Sequence, residues 1–499
     1  MTTGVAAKVS KGAAWMISSQ AIDTVVATLA TMVLSRLLVP EDFGLTSLAL
    51  TLVAILTLLR SFSFDLVLIQ RQGATRDDYD TAWTFGLLFS IVIALLLVVV
   101  AKPFAVYYKD ARLVHVVMFI ALTNVLEGAQ NIGIVDFRKD LLFAREFTFV
   151  VLRRIGGFAI TVVLAVLFRN YWSLVIGTVL GQALSTLLSY VMHPYRPRFQ
   201  TSSWREIFGF SKWNAVNSVA HAMSLRAGDF LIAKLGGFAG LGLFKLADGI
   251  GFLTSSALGA PVNRAVYPGY AMTAHDRPRL RDAFYRVTAF NALIVLPAGI
   301  GMAAVADSLC KVALGEQFQA AAPLIAVLAI RGLIHALVSN VPYVYLALGK
   351  PQLASYSLIA RAIILLPLLW LGLVHFGVFG AACAFTASMV LEIPIHLFLA
   401  HQQLDVQVGA FLRSLWRPAI ASALMAVAVR AVTVSWPPPL EKPALVARLI
   451  ALVLVGVVTY VVTVLALWAL SGRPRSAERM VIDGARERLA AWTGRTENA

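Results

Sequence analysis

The sequence predicts an all-α integral membrane protein of about fourteen spanning helices: two six-helix lobes related by an internal repeat, plus two C-terminal helices. Three observations carry this. Apolar runs recur along all 499 residues, and most are long enough to cross a bilayer as a helix. Only 14% of the residues are charged and 59% are hydrophobic, with a mean hydropathy of +0.79; a soluble chain carries about 25% charged residues. Finally, a motif near the start returns 198 residues later.

That motif is Ser35-Arg36-Leu37-Leu38-Val39-Pro40-Glu41-Asp42-Phe43-Gly44-Leu45. It lies between the apolar runs 12–34 and 46–59, so it reads as a tight hairpin at one membrane surface. Pro40 cannot continue the first helix and suits the start of the second. Glu41 and Asp42 then occupy the first turn, where the helix dipole favours negative charge. In the second copy, Arg36, Leu37, Gly44, Leu45, Leu48 and Ala49 meet Lys234, Leu235, Gly242, Leu243, Leu246 and Ala247. Two copies of one helical unit is a common transporter plan.

These residues resemble a known family. Leu37-Leu38-x-Pro40-Glu41-Asp42-Phe43-Gly44, Leu68-Ile69-Gln70 and Thr81-x-x-Thr84-Phe85 are similar to segments of the Wzx-like polysaccharide flippases. That family belongs to the multidrug/oligosaccharidyl-lipid/polysaccharide exporter superfamily. In the second half, Arg226-x-x-Asp229-x-x-x-x-Lys234-Leu235-Gly236 and Leu241-Gly242-Leu243-Phe244-x-x-Ala247 look like the matching segment. The resemblance covers roughly residues 8–405.

The first lobe (1–195) should hold spans 13–38, 43–66, 79–104, 111–133, 143–168 and 171–192. The first of these is too long for a signal-peptide core. A basic linker, His193-Pro194-Tyr195-Arg196-Pro197-Arg198, reads as irregular and separates the lobes. The second lobe (196–405) should hold 208–233, 240–266, 284–306, 321–347, 352–374 and 378–401. The region 406–471 adds 412–433 and 445–470 outside the repeat, joined by Ser435-Trp436-Pro437-Pro438-Pro439. The resemblance implies that such a pair helps form a groove for a lipid tail; the plainer reading is a stabilising pair. Residues 472–499 read as a basic cytoplasmic tail, either an amphipathic surface helix or a solvated segment. Pro and Gly within spans, such as Gly156-Gly157, Pro297 and Pro367, permit kinks. Cys310 and Cys383 form no disulfide framework and no metal motif.

The net charge of +16 follows positive-inside topology rather than a nucleic-acid partner. With the N-terminus in the cytoplasm, 24 Lys and Arg fall on the inner side and 11 on the outer. The outer set includes Lys245 and Arg448. This asymmetry predicts cytoplasmic termini in a bacterial inner membrane. No loop is long enough for a catalytic domain, which argues against a membrane glycosyltransferase or ligase.

Seven arginines remain inside spans: Arg60, Arg153, Arg154, Arg226, Arg264, Arg331 and Arg361. A central Arg costs about 2.5–3.5 kcal/mol on insertion scales, so these must face protein, water or headgroups. Arg60 and Arg264 lie near helix ends, where snorkelling to the interface is open to them. Arg226 and Asp229 share a helical face and either neutralise each other or face a substrate. Arg331 and His335, four apart, form a polar stripe. The span acids Asp23, Glu127, Asp229, Asp248 and Glu392 do not cancel seven guanidiniums. A cavity with surplus guanidinium suits an anion, above all a phosphate, because Arg offers a planar fork of donors.

The resemblance implies such an anion: a polyprenyl-pyrophosphate carrying a short oligosaccharide, flipped by alternating access for O-antigen, capsule or exopolysaccharide synthesis. It also implies partnership with the lipid bilayer and with the polysaccharide polymerase and export complex. Arg226 and Arg331 are the first candidates for substrate contact. No cofactor or metal is expected. Asp23, mid-helix in the first span and desolvated there, either couples transport to a proton or sodium, ahead of Asp229 and Asp248, or neutralises a nearby arginine. A multidrug antiporter of the same superfamily predicts an acidic cavity instead, against the arginine surplus. A lipid II flippase is the other alternative, disfavoured by the Pro40–Gly44 motif. Reporter fusions at Gly73, Gly315 and the C-terminus should report inside, outside and inside; an external C-terminus would overturn the helix count.

Overall fold

The computed structural model describes residues 2–57, 68, 73–202, 204–350, 352–438, 441–474, 477–480 and 482–483. Side chains are described for these except 2–14, 16–17, 204–225, 227, 260–265, 267 and 355. All regular structure among the described residues is helical. Ten helices are long and apolar enough to cross a membrane, or eleven if one bent pair counts as a single span. The protein is thus a multi-pass membrane protein, but on length and composition the expected fourteen spans are not reached among the described residues. The ten take Gln352–Leu404 as one span where 352–374 and 378–401 are expected, take Gly228–Gly259 as one where 208–233 and 240–266 are expected, and leave out Thr2–Leu37.

The chain forms two compact units, Met1–Leu246 and Ala247–Ala499. The first contains α1 (Thr2–Leu37), α2 (Pro40–Thr57), α3 (Arg76–Tyr108), α4 (Arg112–Gly128), α5 (Phe143–Phe168) and α6 (Trp172–Met192). It also holds α7 (Trp204–Gly251) as far as Leu246. Here α3 packs on α4, α5 on α6 and α1 on α5.

The motif at the α1–α2 turn is built as its residues dictate. The Asp42 carboxylate accepts from the Val39 N–H at 3.2 Å, closing the turn ahead of Pro40. Glu41 reaches outward to Arg112, which is also held by Asp110 at 2.6 Å. That guanidinium keeps the Asp110 carboxyl below the usual carboxylate range despite burial. The second copy follows a break in α7 at Gly237, whose φ of 71° favours glycine.

The two copies meet. A Cβ at Gly44 would fall on the carbonyl of Phe238, and one at Gly242 on the carbonyl of Pro40. Pro40 to Phe238 and Gly44 to Gly242 are both steps of 198 residues, so each copy presents the same backbone to the other. Membrane helices approach this closely only through small residues.

One expectation for this unit changes: span 111–133 ends at Gly128, and a short 3₁₀ segment with one helical turn, Ile132–Lys139, leaves it at 68°. The linker after α6 is irregular, as expected, and it is pinned. Asp80 accepts from the Tyr195 hydroxyl and the Arg198 N–H, both at 2.7 Å, and Asn131 donates to the Tyr195 carbonyl at 2.7 Å.

The second unit contains α8 (Ala260–Thr273), α9 (Arg277–Leu309), α10 (Ala322–Val338), α11 (Val341–Ala347), α12 (Gln352–Leu404), α13 (Val408–Ser435) and α14 (Lys442–Leu470). A straight α12 would run about 80 Å, far beyond a bilayer. Gly377, at φ 58° and ψ −143°, breaks it into a hairpin. Gly372 and Gly380 then face each other, and a Cβ on either would meet the other's carbonyl. α13 and α14 pack on each other and on α9, and the Tyr460 hydroxyl donates to the Leu293 carbonyl at 2.6 Å.

Arg448, counted with the outer loops, lies inside α14 and is 1% exposed. It donates to the Thr433 and Trp436 carbonyls, capping the negative end of α13. In the tail, Glu478 pairs with Arg417 at 3.2 Å. Substituting Gly44 or Gly242 by Val should cost about 3 kcal/mol or more, because the obstacle is backbone that cannot repack. The thermal midpoint of purified protein checks this; wild-type midpoints for both variants would refute the crossing.

Candidate functional site

In the first unit, charge gathers where α1, α5 and the end of α4 meet. Asp23 pairs with Arg154 at 2.8 Å. Of the two readings of Asp23, the neutralising partner is the one that forms, with its side chain 40% exposed on the protein. Arg153, the next residue on α5, makes no ion pair among the described residues. Its guanidinium lies over the Phe149 ring at 5.9 Å.

Arg153 lines two cavities. The first, about 540 Å³, is bounded by Trp83 of α3, Glu127, Gln130 and Asn131 after α4, and Arg138 and Glu146. Arg138 and Glu146 pair with each other at 2.5 Å. The second, about 470 Å³, lies between α1, α5 and α6, with Ala27, Ala30, Gly157, Gly177 and Gly181 in its wall. The sequence explains the gap. Gly157 and Gly181 let the backbones of α5 and α6 approach, with a Cβ at Gly181 only 3.5 Å from the Gly157 Cα.

A second polar cluster lies beside the repeated motif. Asp229, 3% exposed, accepts from Lys245 at 2.6 Å and from the Thr51 hydroxyl at 2.8 Å. The expected Arg226–Asp229 neutralisation does not form. Arg226 is exposed and unpaired among the described residues, and Lys245, counted as a loop residue, takes its place from within α7.

In the second unit, Arg331 pairs with Asp248 and is flanked by the Phe252 and Phe385 rings at 5.5 and 5.0 Å. His335, one turn along α10, meets the Ser255 hydroxyl at 2.7 Å through Nδ1. A π-helical turn at Thr254–Gly259 supplies Ser255; such turns gather at functional sites. Further along, Glu392 lies 3.2 Å from His396 and 3.9 Å from Arg361. Both Glu392 and His396 are 5% exposed.

Three of the seven span arginines, Arg154, Arg331 and Arg361, thus have carboxylate partners. Arg60 lies outside the described residues, and so does the Arg264 side chain. Sequence reasoning missed Lys245 because a lysine near a helix start reads as interfacial. It missed the polar turn at Ser255 because Thr254-Ser255-Ser256 inside an apolar run reads as small residues that pack between membrane helices.

The helices define a multi-pass membrane protein with charged and polar groups inside its spans. The chain belongs to the polysaccharide biosynthesis protein family, whose sequence pattern matches residues 33–323. It is 23% identical to the succinoglycan biosynthesis transport protein ExoT of Rhizobium meliloti (strain 1021), covering 98% of each chain. It is 21% identical to the lipopolysaccharide biosynthesis protein WzxC of Escherichia coli (strain K12), over 82% of this chain and 85% of that one. Its fold is similar to that of the lipid II flippase MurJ in an inward closed conformation. The TM-score is 0.73 at 10% identity, over 91% of this chain and 99% of that one.

A double-mutant comparison separates the two possible partners of Asp229. Lys245→Ala should lower stability by about 3–5 kcal/mol, as expected when a buried carboxylate loses its cation, and adding Asp229→Asn should recover most of it. Arg226→Ala should leave the thermal midpoint within about 0.5 kcal/mol of wild type. A large loss for Arg226→Ala alone would contradict the pairing.

Proposed function

We propose that this transporter flips a polyprenyl-pyrophosphate-linked oligosaccharide across the bacterial inner membrane by alternating access, with both termini cytoplasmic. The product would serve O-antigen, capsule or exopolysaccharide synthesis, and no bond of the substrate changes. The observation that carries this reading is Arg153, a guanidinium midway along a spanning helix, lining two cavities, with Asp23 and Glu127 acting on it from a distance but no carboxylate in ion-pair contact among the described residues. An unmatched charge in a membrane interior is a functional site by default, and a guanidinium fork fits a phosphate. Membership of the polysaccharide biosynthesis family and the names of the relatives support the substrate class.

The pairings change the ranking of substrate contacts. Arg153 comes first. Arg226, exposed and unpaired, remains a candidate. Arg331, Arg154 and Arg361 are held by acids in this state, and each would reach a substrate only by exchanging its carboxylate for phosphate. For coupling, Asp23 would act through Arg154: a proton on Asp23 frees the arginine. Asp229 and Asp248 stand in the same relation to Lys245 and Arg331. A membrane potential negative inside favours outward movement of an anion by about 2.3 kcal/mol per charge per 100 mV.

The test is made in cells. Arg153→Gln should lower surface polysaccharide tenfold or more, since a charged hydrogen bond contributes about 1.5–3 kcal/mol. Lipid-linked oligosaccharide should accumulate while protein abundance stays normal. Arg153→Lys keeps the charge but loses the fork and should retain partial export. Normal export by Arg153→Gln at normal abundance would remove Arg153 from the site.

A further inference from the structure

We propose that the slot between α1, α5 and α6 holds the first isoprenoid segment of a prenyl-pyrophosphate lipid, with the pyrophosphate at Arg153 and the sugars in the adjoining polar cavity. The proposal rests on the flippase reading and adds where the lipid tail lies. The sequence alone places a tail groove, if anywhere, at the C-terminal helix pair.

The slot has a direction. Its lining runs from Val26 to Leu34 on α1 and from Arg153 to Thr161 on α5. Each is eight residues of helix, or about 12 Å. The wall is more apolar than its sequence. Thr31, Thr161 and Thr178 turn their hydroxyls back onto the carbonyls of Ala27, Gly157 and Leu174, at 2.9, 2.8 and 2.7 Å. Their hydroxyl protons are therefore spent within their own helices, and Ala30, Leu34 and Phe158 line the slot beside them.

Free polar capacity collects at one end. Arg154 is committed to Asp23, which leaves Arg153 and the Gln182 amide. Arg153 also lines the first cavity, so the apolar slot and the polar cradle meet at one guanidinium. On the other side of it, the Gln130 amide, whose Nε2 donates to Ser185 and whose oxygen accepts, lines the first cavity with the Trp83 indole and Glu127; acceptors beside an aromatic face are what sugar hydroxyls and ring faces use. Apolar channel, phosphate-binding fork and sugar cradle thus follow in the order in which a lipid-linked sugar presents tail, pyrophosphate and glycan. A soluble anion would leave the slot unused. A simple phospholipid would fill the slot but not the cradle.

The experiment uses the full chain in phosphatidylcholine nanodiscs and a farnesyl pyrophosphate carrying a photoreactive group on its terminal isoprene. Crosslinked peptides should come from 26–34 and from the α5 and α6 lining. Ala30→Phe, which fills the slot, and Arg153→Gln should each reduce labelling at least tenfold. Unlabelled farnesyl pyrophosphate should compete, and inorganic pyrophosphate and added phosphatidylglycerol should compete at least tenfold more weakly. Equal competition by inorganic pyrophosphate would make this a soluble-anion site, and equal competition by phosphatidylglycerol an ordinary lipid site; either overturns the proposal. Labelling confined to α13 and α14 also overturns it, while leaving the flippase reading intact. Deleting the gene without loss of surface polysaccharide would sink the flippase reading but not the labelling, so the two fail separately.

Discussion

A guanidinium inside a membrane helix must be matched by a carboxylate, an aromatic face, water or a ligand, and that requirement organises this protein. Asp23 matches Arg154, Asp248 matches Arg331, and Glu392 lies against Arg361. Asp229 is matched by a lysine sixteen residues away, which leaves Arg226 unpaired. Arg448 is buried against helix-end carbonyls and a serine hydroxyl. Against this background of paired charges, Arg153 stands out: among the described residues it makes no ion pair, the Asp23 and Glu127 carboxylates act on it only from a distance, and it borders two cavities. The anion reading therefore rests on one unmatched residue rather than on a surplus counted along the chain.

The repeated motif supplies a second constraint. Gly44 and Gly242 each lie against the backbone of the other copy, at positions related by the same step. No side chain fits there, so the two copies either make this contact or separate altogether. A contact with so little room for intermediate arrangements suits a protein that alternates between discrete states. The acids beside it, Glu41, Asp42 and Asp110, serve the turn and its arginine clamp.

Much of the fold was legible in the sequence. Apolar run length announced the helices, and the Pro40–Glu41–Asp42 turn formed as its chemistry required. Two breaks were legible as well: the expected spans end at 233 and 374 and resume at 240 and 378, on either side of the positive-φ glycines Gly237 and Gly377. The bend after Gly128 depends on Asn131 bonding a segment some sixty residues away, which no local pattern encodes. For the site, the sequence found every arginine named above but could not tell paired from unpaired. Spacing suggested Arg226 with Asp229 on one helix face, whereas the partner came from beyond the Gly237 break. The importance of Arg153 was hidden because its distinction, among the described residues, is that no carboxylate comes into ion-pair contact with it.

The central claim is that the protein moves a lipid-linked sugar because of the anion that joins lipid to sugar. Purified protein in proteoliposomes can be given two substrates with the same prenyl chain and the same disaccharide, one joined through pyrophosphate and one through an uncharged ether. An impermeant sugar oxidant then reports how fast each glycan crosses. The account predicts rapid protein-dependent crossing of the pyrophosphate compound and at least tenfold slower crossing of the ether. Equal rates for the two would contradict it.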